Sequence, residues 1–451
     1  MKTQNKFKPI YYIFIIAFLL RIAVPVVVYY LNNGFNTAFW TEDAVSYFEP
    51  ANELVKTLSF NNKIGEPEII RTPGYPLLMI PGILLGHVEL CTIFLHIILS
   101  TLTVILIYKI SLEIFHDETA AFFSALLASI SKVFLISIYE LMTETLFTTI
   151  IVLFIYFIIL YLKKKTLKYI IISSTLIAIS IYVRPAGYYL PIFFIISIFS
   201  WLIYKKELTK KILVHLLIFI ILSESFVVIW QIRNKIEAEY SNFSAISDIN
   251  IYYFNAVAVL SAKEGIYYYD IQKRLGILKD IREAVKESDN KTFLSKASAY
   301  EFIRKKGLKI ILDNPFIYAK EHMIGMIKTL LGGEIPFLSI SFINKQALNP
   351  IILISMFSTL NKSTLIIYLL SHTGAPIYYI FMIIALINEW NKYKNEIFIL
   401  LIIALYFLII SGGLAGCDRL RHPMIPSICI IGGMGMTIVY NKFKEIFRRN
   451  I

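Results

Sequence analysis

Two carboxylates stand side by side shortly after the first apolar segment, in Thr41-Glu42-Asp43-Ala44-Val45-Ser46-Tyr47. A carboxylate held beside a reacting hydroxyl can accept its proton as the new bond forms, which is general-base chemistry. Asp43, Tyr47, Ala51 and Leu54 follow one another at spacings of four, four and three, so they share one face of a short helix that Asp43 opens. An aspartate at a helix start is also a good cap. Both readings of Asp43 are open.

A second group is Arg71-Thr72-Pro73-Gly74-Tyr75-Pro76-Leu77-Leu78. The prolines restrict the backbone, and Gly74 relieves steric crowding in the turn. Arg71 is then a fixed cation beside that turn, or a surface arginine before a proline-marked helix start. Arg184, Arg233, Arg419 and Arg421 each lie near an end of an apolar segment. A planar guanidinium suits phosphate, and cations aimed at a leaving phosphate favour the transition state. Arginines at the ends of membrane spans also snorkel to headgroups.

The elements that must position these residues are apolar. The chain has 451 residues, 57% hydrophobic and 17% charged, with mean hydropathy +0.68. Soluble domains run near 45–50% apolar and about 25% charged. The surplus requires lipid, which excludes a soluble enzyme, a fibre and a disordered chain. Apolar segments at roughly 10–31, 88–109, 119–139, 142–162, 168–184, 186–204, 212–232, 364–388, 396–413 and 423–440 read as about ten transmembrane helices. The fold class is all-α, a polytopic integral membrane protein forming one transmembrane domain over 1–451. Two extracytoplasmic loops, 32–87 and 233–363, carry short interfacial helices.

Charge orients the chain. The 44 Lys+Arg against 31 Asp+Glu give +13, and cytoplasmic loops carry such an excess. Lys163, Lys164, Lys165 and Lys168, then Lys205, Lys206, Lys210 and Lys211, then Lys392 and Lys394, fall on one side. Both termini are therefore expected in the cytoplasm. In the second loop, Leu275, Leu278, Ile281 and Val285 recur at helical spacing and predict one amphipathic helix. Asp313-Asn314-Pro315 predicts a helix start, and 316–331 is expected along the outer membrane surface. Arg21 lies mid-span, where an unpaired charge costs about 2.5–3.5 kcal/mol; Glu113 or Glu224 is its expected partner. Cys91, Cys417 and Cys429 have neither disulfide nor zinc spacing.

The pattern of one span, then Asp43-Ala44-Val45-Ser46-Tyr47-Phe48-Glu49-Pro50-Ala51-Asn52-Glu53-Leu54, then Arg71-Thr72-Pro73-Gly74-Tyr75-Pro76-Leu77-Leu78, resembles the GT-C superfamily of membrane glycosyltransferases. More narrowly, it resembles the protein O-mannosyltransferase and aminoarabinose transferase branch. Further along, Thr143-Glu144-Thr145-Leu146-Phe147 resembles that family's acidic residue at the outer start of a helix. Arg184-Pro185, Trp230-Gln231-Ile232-Arg233-Asn234, Asn314-Pro315-Phe316-Ile317-Tyr318 and Asp418-Arg419-Leu420-Arg421-His422-Pro423 resemble its later motifs. Ile229 replaces a proline of the pattern and Leu420 a tyrosine.

The resemblance implies an inverting transferase that takes a sugar from a polyprenyl-phosphate donor to an extracytoplasmic hydroxyl or amine, in the plasma (inner) membrane. It implies Asp43 as base. Glu42 stands before it, where some relatives have the second acid after it, and burial beside Glu42 is expected to raise the Asp43 pKa. Arg71, Arg184, Arg233, Arg419 and Arg421 are candidates for the donor phosphate. Tyr47, Tyr75, Glu144 and His422 are candidates for contact with substrate. No metal ligand is assigned, because a single phosphate does not demand one; Glu144 with His87, His322, His372 or His422 would be the place for a divalent ion. The partners implied are donor, acceptor and bilayer, without nucleic acid. A polysaccharide polymerase or ligase, with its working residues in a late loop, is the alternative, and a lipid-sugar flippase stands behind it.

Overall fold

The computed structural model describes residues 9–36, 38–331 and 362–449, and the side chains of all of these except 362–374 and 449. The end of the second loop, 332–361, and the His372 side chain lie outside the described residues. The apolar helices before the second loop are α1 (Pro9–Leu31), α4 (Val88–Phe115), the pair α5 (Glu118–Ser129) and α6 (Lys132–Tyr139), α7 (Glu144–Lys164), α8 (Leu167–Val183), α9 (Leu190–Lys205) and α10 (Lys210–Ala238). The first loop contributes α2 (Glu42–Thr57) and α3 (Gly74–Leu84). The second loop adds α11 (Ile246–Ile249), a π-helical turn (Asn250–Ala256), α12 (Val257–Glu264), α13 (Tyr268–Arg274), α14 (Ile281–Asp289), α15 (Lys296–Leu312) and α16 (Pro315–Leu331). The chain then forms α17 (Lys362–Ile410) and α18 (Ile425–Arg449).

Among the described residues seven helices are long and apolar enough to cross a membrane, or eight with the α5–α6 pair taken as one bent span. Helix α8, at 17 residues, is shorter. Helix α17 contains a break at Tyr393 (φ −122°, ψ 30°). Its contacts mark two passes. Tyr379 hydroxyl bonds Leu330 O in the second loop, Tyr393 hydroxyl bonds Phe115 O at the far end of α4, and Tyr406 hydroxyl bonds Ala186 O back beside Arg184. The residues between the two expected spans thus sit at the end opposite the long loops.

The bend between α5 and α6, 49°, explains Arg21. A helix C-terminus leaves carbonyls without intrahelical partners. Arg21, fully buried in α1, donates to Ser129 O and Ala128 O at the end of α5, to Ser100 Oγ at 2.8 Å and to Ala17 O. Among the described residues no carboxylate pairs with it. Glu113 instead pairs with Lys163, and one carboxylate oxygen of Glu224 is buried without a hydrogen-bond partner among the described residues. The expected charge pair is replaced by a guanidinium on carbonyls, where the negative end of the helix dipole already lies.

The second loop folds around its own core. Tyr240, Tyr252, Tyr253, Val257, Ile271, Ile281, Val285, Tyr300 and Ile303 cluster, and Ile69 of the first loop joins them. The single helix expected through Leu275–Val285 is two. Gly276 takes φ +81°, which ends α13 where a side chain would be strained. Asp280 then caps α14 through its carboxylate on Arg282 N. Leu278 falls in the connection and is 74% exposed.

Candidate active site

Helix α2 is capped by Thr41, whose Oγ1 accepts from Ala44 N at 3.2 Å. The cap is therefore not Asp43, whose carboxylate is left free to meet other groups. Arg71 Nη2 donates to Asp43 Oδ1 at 2.6 Å. Its Nε donates to Ser46 Oγ at 2.9 Å, its Nη1 to Tyr47 hydroxyl at 3.1 Å, and its guanidinium lies 4.5 Å from the Tyr47 ring centroid. Ser46 and Tyr47 are three and four residues past Asp43, the spacing that places them over the same turn.

Arg71 is itself held from below. The buried Glu68 carboxylate accepts from Ile70 N at 2.6 Å and from Arg71 N at 2.9 Å. Burial raises its pKa, although those two amides act in the opposite direction. Gly74 then brings α3 onto the end of α8. A Cβ there would sit 2.7 Å from the Tyr182 carbonyl and Val183 N. Its role is close approach rather than a special turn conformation, and it lays the Arg71 segment beside Arg184.

Glu144, the first residue of α7, is 1% exposed. Arg184 Nη1 donates to its Oε1 at 2.6 Å, and Arg419 Nε lies 3.4 Å from the same oxygen. Arg419 Nη2 reaches Asp43 Oδ2 at 3.3 Å. The five side chains form an alternating row, Arg71, Asp43, Arg419, Glu144, Arg184. Three guanidinium groups against two carboxylates leave one positive charge over. Side-chain exposure separates the members: Asp43 (39%) and Arg419 (38%) are open, whereas Arg71 (14%), Arg184 (16%) and Glu144 (1%) are enclosed. Glu144 Oε2 is buried with no partner among the described residues.

Burial pushes the Asp43 carboxyl up, but Arg71 and Arg419 together outweigh it, and the group titrates below its ordinary range. The rise expected from Glu42 is therefore reversed: Glu42 is exposed and makes no side-chain hydrogen bond or ion pair among the described residues. Glu140 is a raised carboxyl next to the row, pushed up to about 7 by burial first, then by Glu144 and Asp418, with Arg419 opposing.

Several expected contact residues sit elsewhere. Tyr75 is fully buried, packed edge-on to Tyr47 with ring centroids 5.3 Å apart, and its hydroxyl hydrogen-bonds His96. It supports the Tyr47 ring. His422 is buried between Ser137 Oγ (2.7 Å) and Thr148 Oγ1 (2.6 Å), so both ring nitrogens are taken. Arg421 is buried and donates to Leu330 O. Arg233 donates to Glu68 O and Phe60 O and pairs with Glu237, which ties the two loops together away from the row. Glu68, Glu140 and Ser46 were not singled out by sequence. An acid two residues before Ile70 and three before Arg71 is the available sign for Glu68. Among the described residues no three His, Cys, Asp or Glu side chains form a metal-holding group. The arrangement offers an open carboxylate and an open cation side by side, which suits proton removal next to a bound anion.

Residues 71–230 match the family model described as dolichyl-phosphate-mannose-protein mannosyltransferase. That stretch holds Arg71, Glu144 and Arg184 but neither Asp43 nor Arg419. A comparison with curated proteins finds no match. Among solved structures, the oligosaccharyltransferase AglB from Archaeoglobus fulgidus, in complex with an inhibitory peptide and a dolichol-phosphate, is 14% identical with TM-score 0.53, covering 98% of this chain and 52% of that one. The same organism's oligosaccharyltransferase, tethered to an acceptor peptide containing the NVT sequon via a disulfide bond, is 13% identical with TM-score 0.54, covering 98% and 51%. ArnT from Cupriavidus metallidurans in the apo state is 11% identical with TM-score 0.40, covering 92% and 76%. The chain spans about half the length of the two oligosaccharyltransferase structures. At these identities the likeness is one of fold.

Proposed function

From a chain with the GT-C fold of membrane glycosyltransferases, we propose an inverting transferase that moves a sugar from a polyprenyl-phosphate donor to an acceptor hydroxyl or amine. The observation that carries this reading is the open Asp43–Arg419 pair within a row bearing one excess positive charge.

The donor is a phosphodiester with one negative charge, which the row's spare charge matches. The acceptor oxygen attacks the anomeric carbon from the face opposite the phosphate. As the C–O bond to phosphate breaks, its electron pair leaves with the phosphate. The acceptor proton passes to Asp43. The row then carries one more positive charge and the leaving phosphate one more negative charge. The site therefore gains attraction as the reaction proceeds, which is the differential stabilisation that accelerates a step.

Arg419 is the most available cation for the phosphate, with Arg184 behind it. When Arg419 turns to phosphate, Asp43 loses one of the two partners that hold its pKa down, and it becomes a stronger base as donor binds. Arg71 keeps its orientation through Ser46 and Tyr47. The lysine distribution supports an active site facing outward, with both termini cytoplasmic.

The test uses purified protein with a short polyprenyl-phosphate hexose and follows release of polyprenyl phosphate. Wild type should turn over the donor, while folded Asp43→Asn should not. Equal rates in both would overturn Asp43 as the base.

A further inference from the structure

We propose that the corner between α15 and α16 is a lipid-docking surface that inserts into the anionic headgroup region of the bilayer. Helix α16 is amphipathic in an unusual sense. The stripe turned toward the protein is polar or small. Tyr318 hydrogen-bonds His322, His322 Nε2 meets Ile409 O at 2.9 Å, Gly413 N donates to His322 O, and Thr329 Oγ1 donates to Ser411 O. Gly325 lies so close to Gly413 that any Cβ would collide with it. The stripe turned away is apolar: Phe316 is 89% exposed, Met323 59% and Ile327 45%. At the adjoining end of α15, Leu312 is 73% exposed and Leu308 36%.

Water is a poor neighbour for that many large apolar side chains, since fully burying one is worth roughly 1.5–3 kcal/mol. Two observations select lipid. The inward stripe is seated on Ile409, Ser411 and Gly413, the end of the spanning helix α17, so α16 lies at the level where that helix leaves the bilayer. The exposed Lys305, Lys309 and Lys320 alternate with the apolar residues on the outward side. That mixture fits a surface whose apolar side chains enter the acyl boundary while ammonium groups meet anionic headgroups.

The test places a polarity-sensitive fluorophore at Phe316→Cys or Met323→Cys, in a Cys91→Ser/Cys417→Ser chain reconstituted into vesicles of anionic and zwitterionic lipid. The matched control is Leu294→Cys. Leu294 is 97% exposed but precedes α15, whose length from Lys296 to Leu312 is about 24 Å. Labels at 316 and 323 should be blue-shifted and quenched about twofold by lipids brominated in the acyl chain, and the label at 294 should not. Lys305→Glu/Lys309→Glu/Lys320→Glu should reduce that quenching in anionic vesicles and leave it unchanged in zwitterionic ones. Absence of lipid quenching at both 316 and 323 would overturn the proposal, since the corner would then face water, another part of the chain or a partner protein. Equal quenching at 294 would overturn it too, as adsorption without a defined surface. The readout does not depend on transferase activity, so it stands or falls apart from the proposed reaction.

Discussion

Asp43 and Arg419, 376 positions apart, meet at 3.3 Å, and the same guanidinium reaches Glu144. Arg419 thereby couples the first loop to the start of α7. Removing it should lower turnover by about 10²–10³-fold, as loss of one transition-state cation does. Asp43→Asn should lower it by about 10²–10⁴-fold. Because the two share one contact, the double variant should lose less than the product of the single losses. Donor turnover measured across the four proteins decides this, and simple multiplication would argue against a coupled pair.

Glu68 should matter through Arg71. Glu68→Leu leaves the Ile70 and Arg71 amides unpaired in a buried place, at a cost of about 1–3 kcal/mol. Glu68→Gln keeps an accepting oxygen and should restore most of the loss. Thermal unfolding in detergent, read beside donor KM and kcat, separates loss of fold from misplacement of Arg71. No difference between the two variants would remove Glu68 from the account.

Glu140 predicts a pH signature. Its carboxyl is pushed from 4.5 up to about 7 in the folded chain. The folded state holds this proton more tightly than the unfolded one, so the contribution is fully present below pH 4.5 and is lost as pH rises through about 7. Glu140→Gln should therefore raise the unfolding midpoint at about pH 8 more than at about pH 5. An equal shift at both would mean that the side chain titrates normally.

Gly74→Ala tests the packing of α3 on α8. The added methyl meets backbone atoms at 2.7 Å, and such overpacking costs about 1–3 kcal/mol. Activity should fall along with stability, because the same contact seats the Arg71 segment against the end of α8. A variant as stable and active as wild type would show that the two helices can part without consequence.

Much of this molecule was legible in its order of residues, because lipid imposes a local rule. Each span must be a run of apolar residues able to satisfy its own backbone, so the all-α membrane fold was legible segment by segment; of the ten segments expected, the described residues form seven helices long and apolar enough to cross, or eight with the bent pair. Motif resemblance likewise singled out Asp43, Arg71, Glu144, Arg184 and Arg419, but together with Glu42, Tyr47, Tyr75, Arg233, Arg421 and His422 and with no sign of which would meet. What tertiary structure decided was the pairing. Arg21 found the open carbonyls of Ala128 and Ser129, not a carboxylate, because a helix end is defined by a bend that no local pattern announces. Tyr75 and His422 turned inward, because their polar atoms meet His96, Ser137 and Thr148 on helices far away in sequence. The direction of the Asp43 pKa reversed for the same reason. Burial is foreseeable from an apolar setting, but the sign depends on two guanidinium groups, one of them 376 residues downstream. Coulomb energy depends on distance in space, and sequence sets that distance only after the chain has folded.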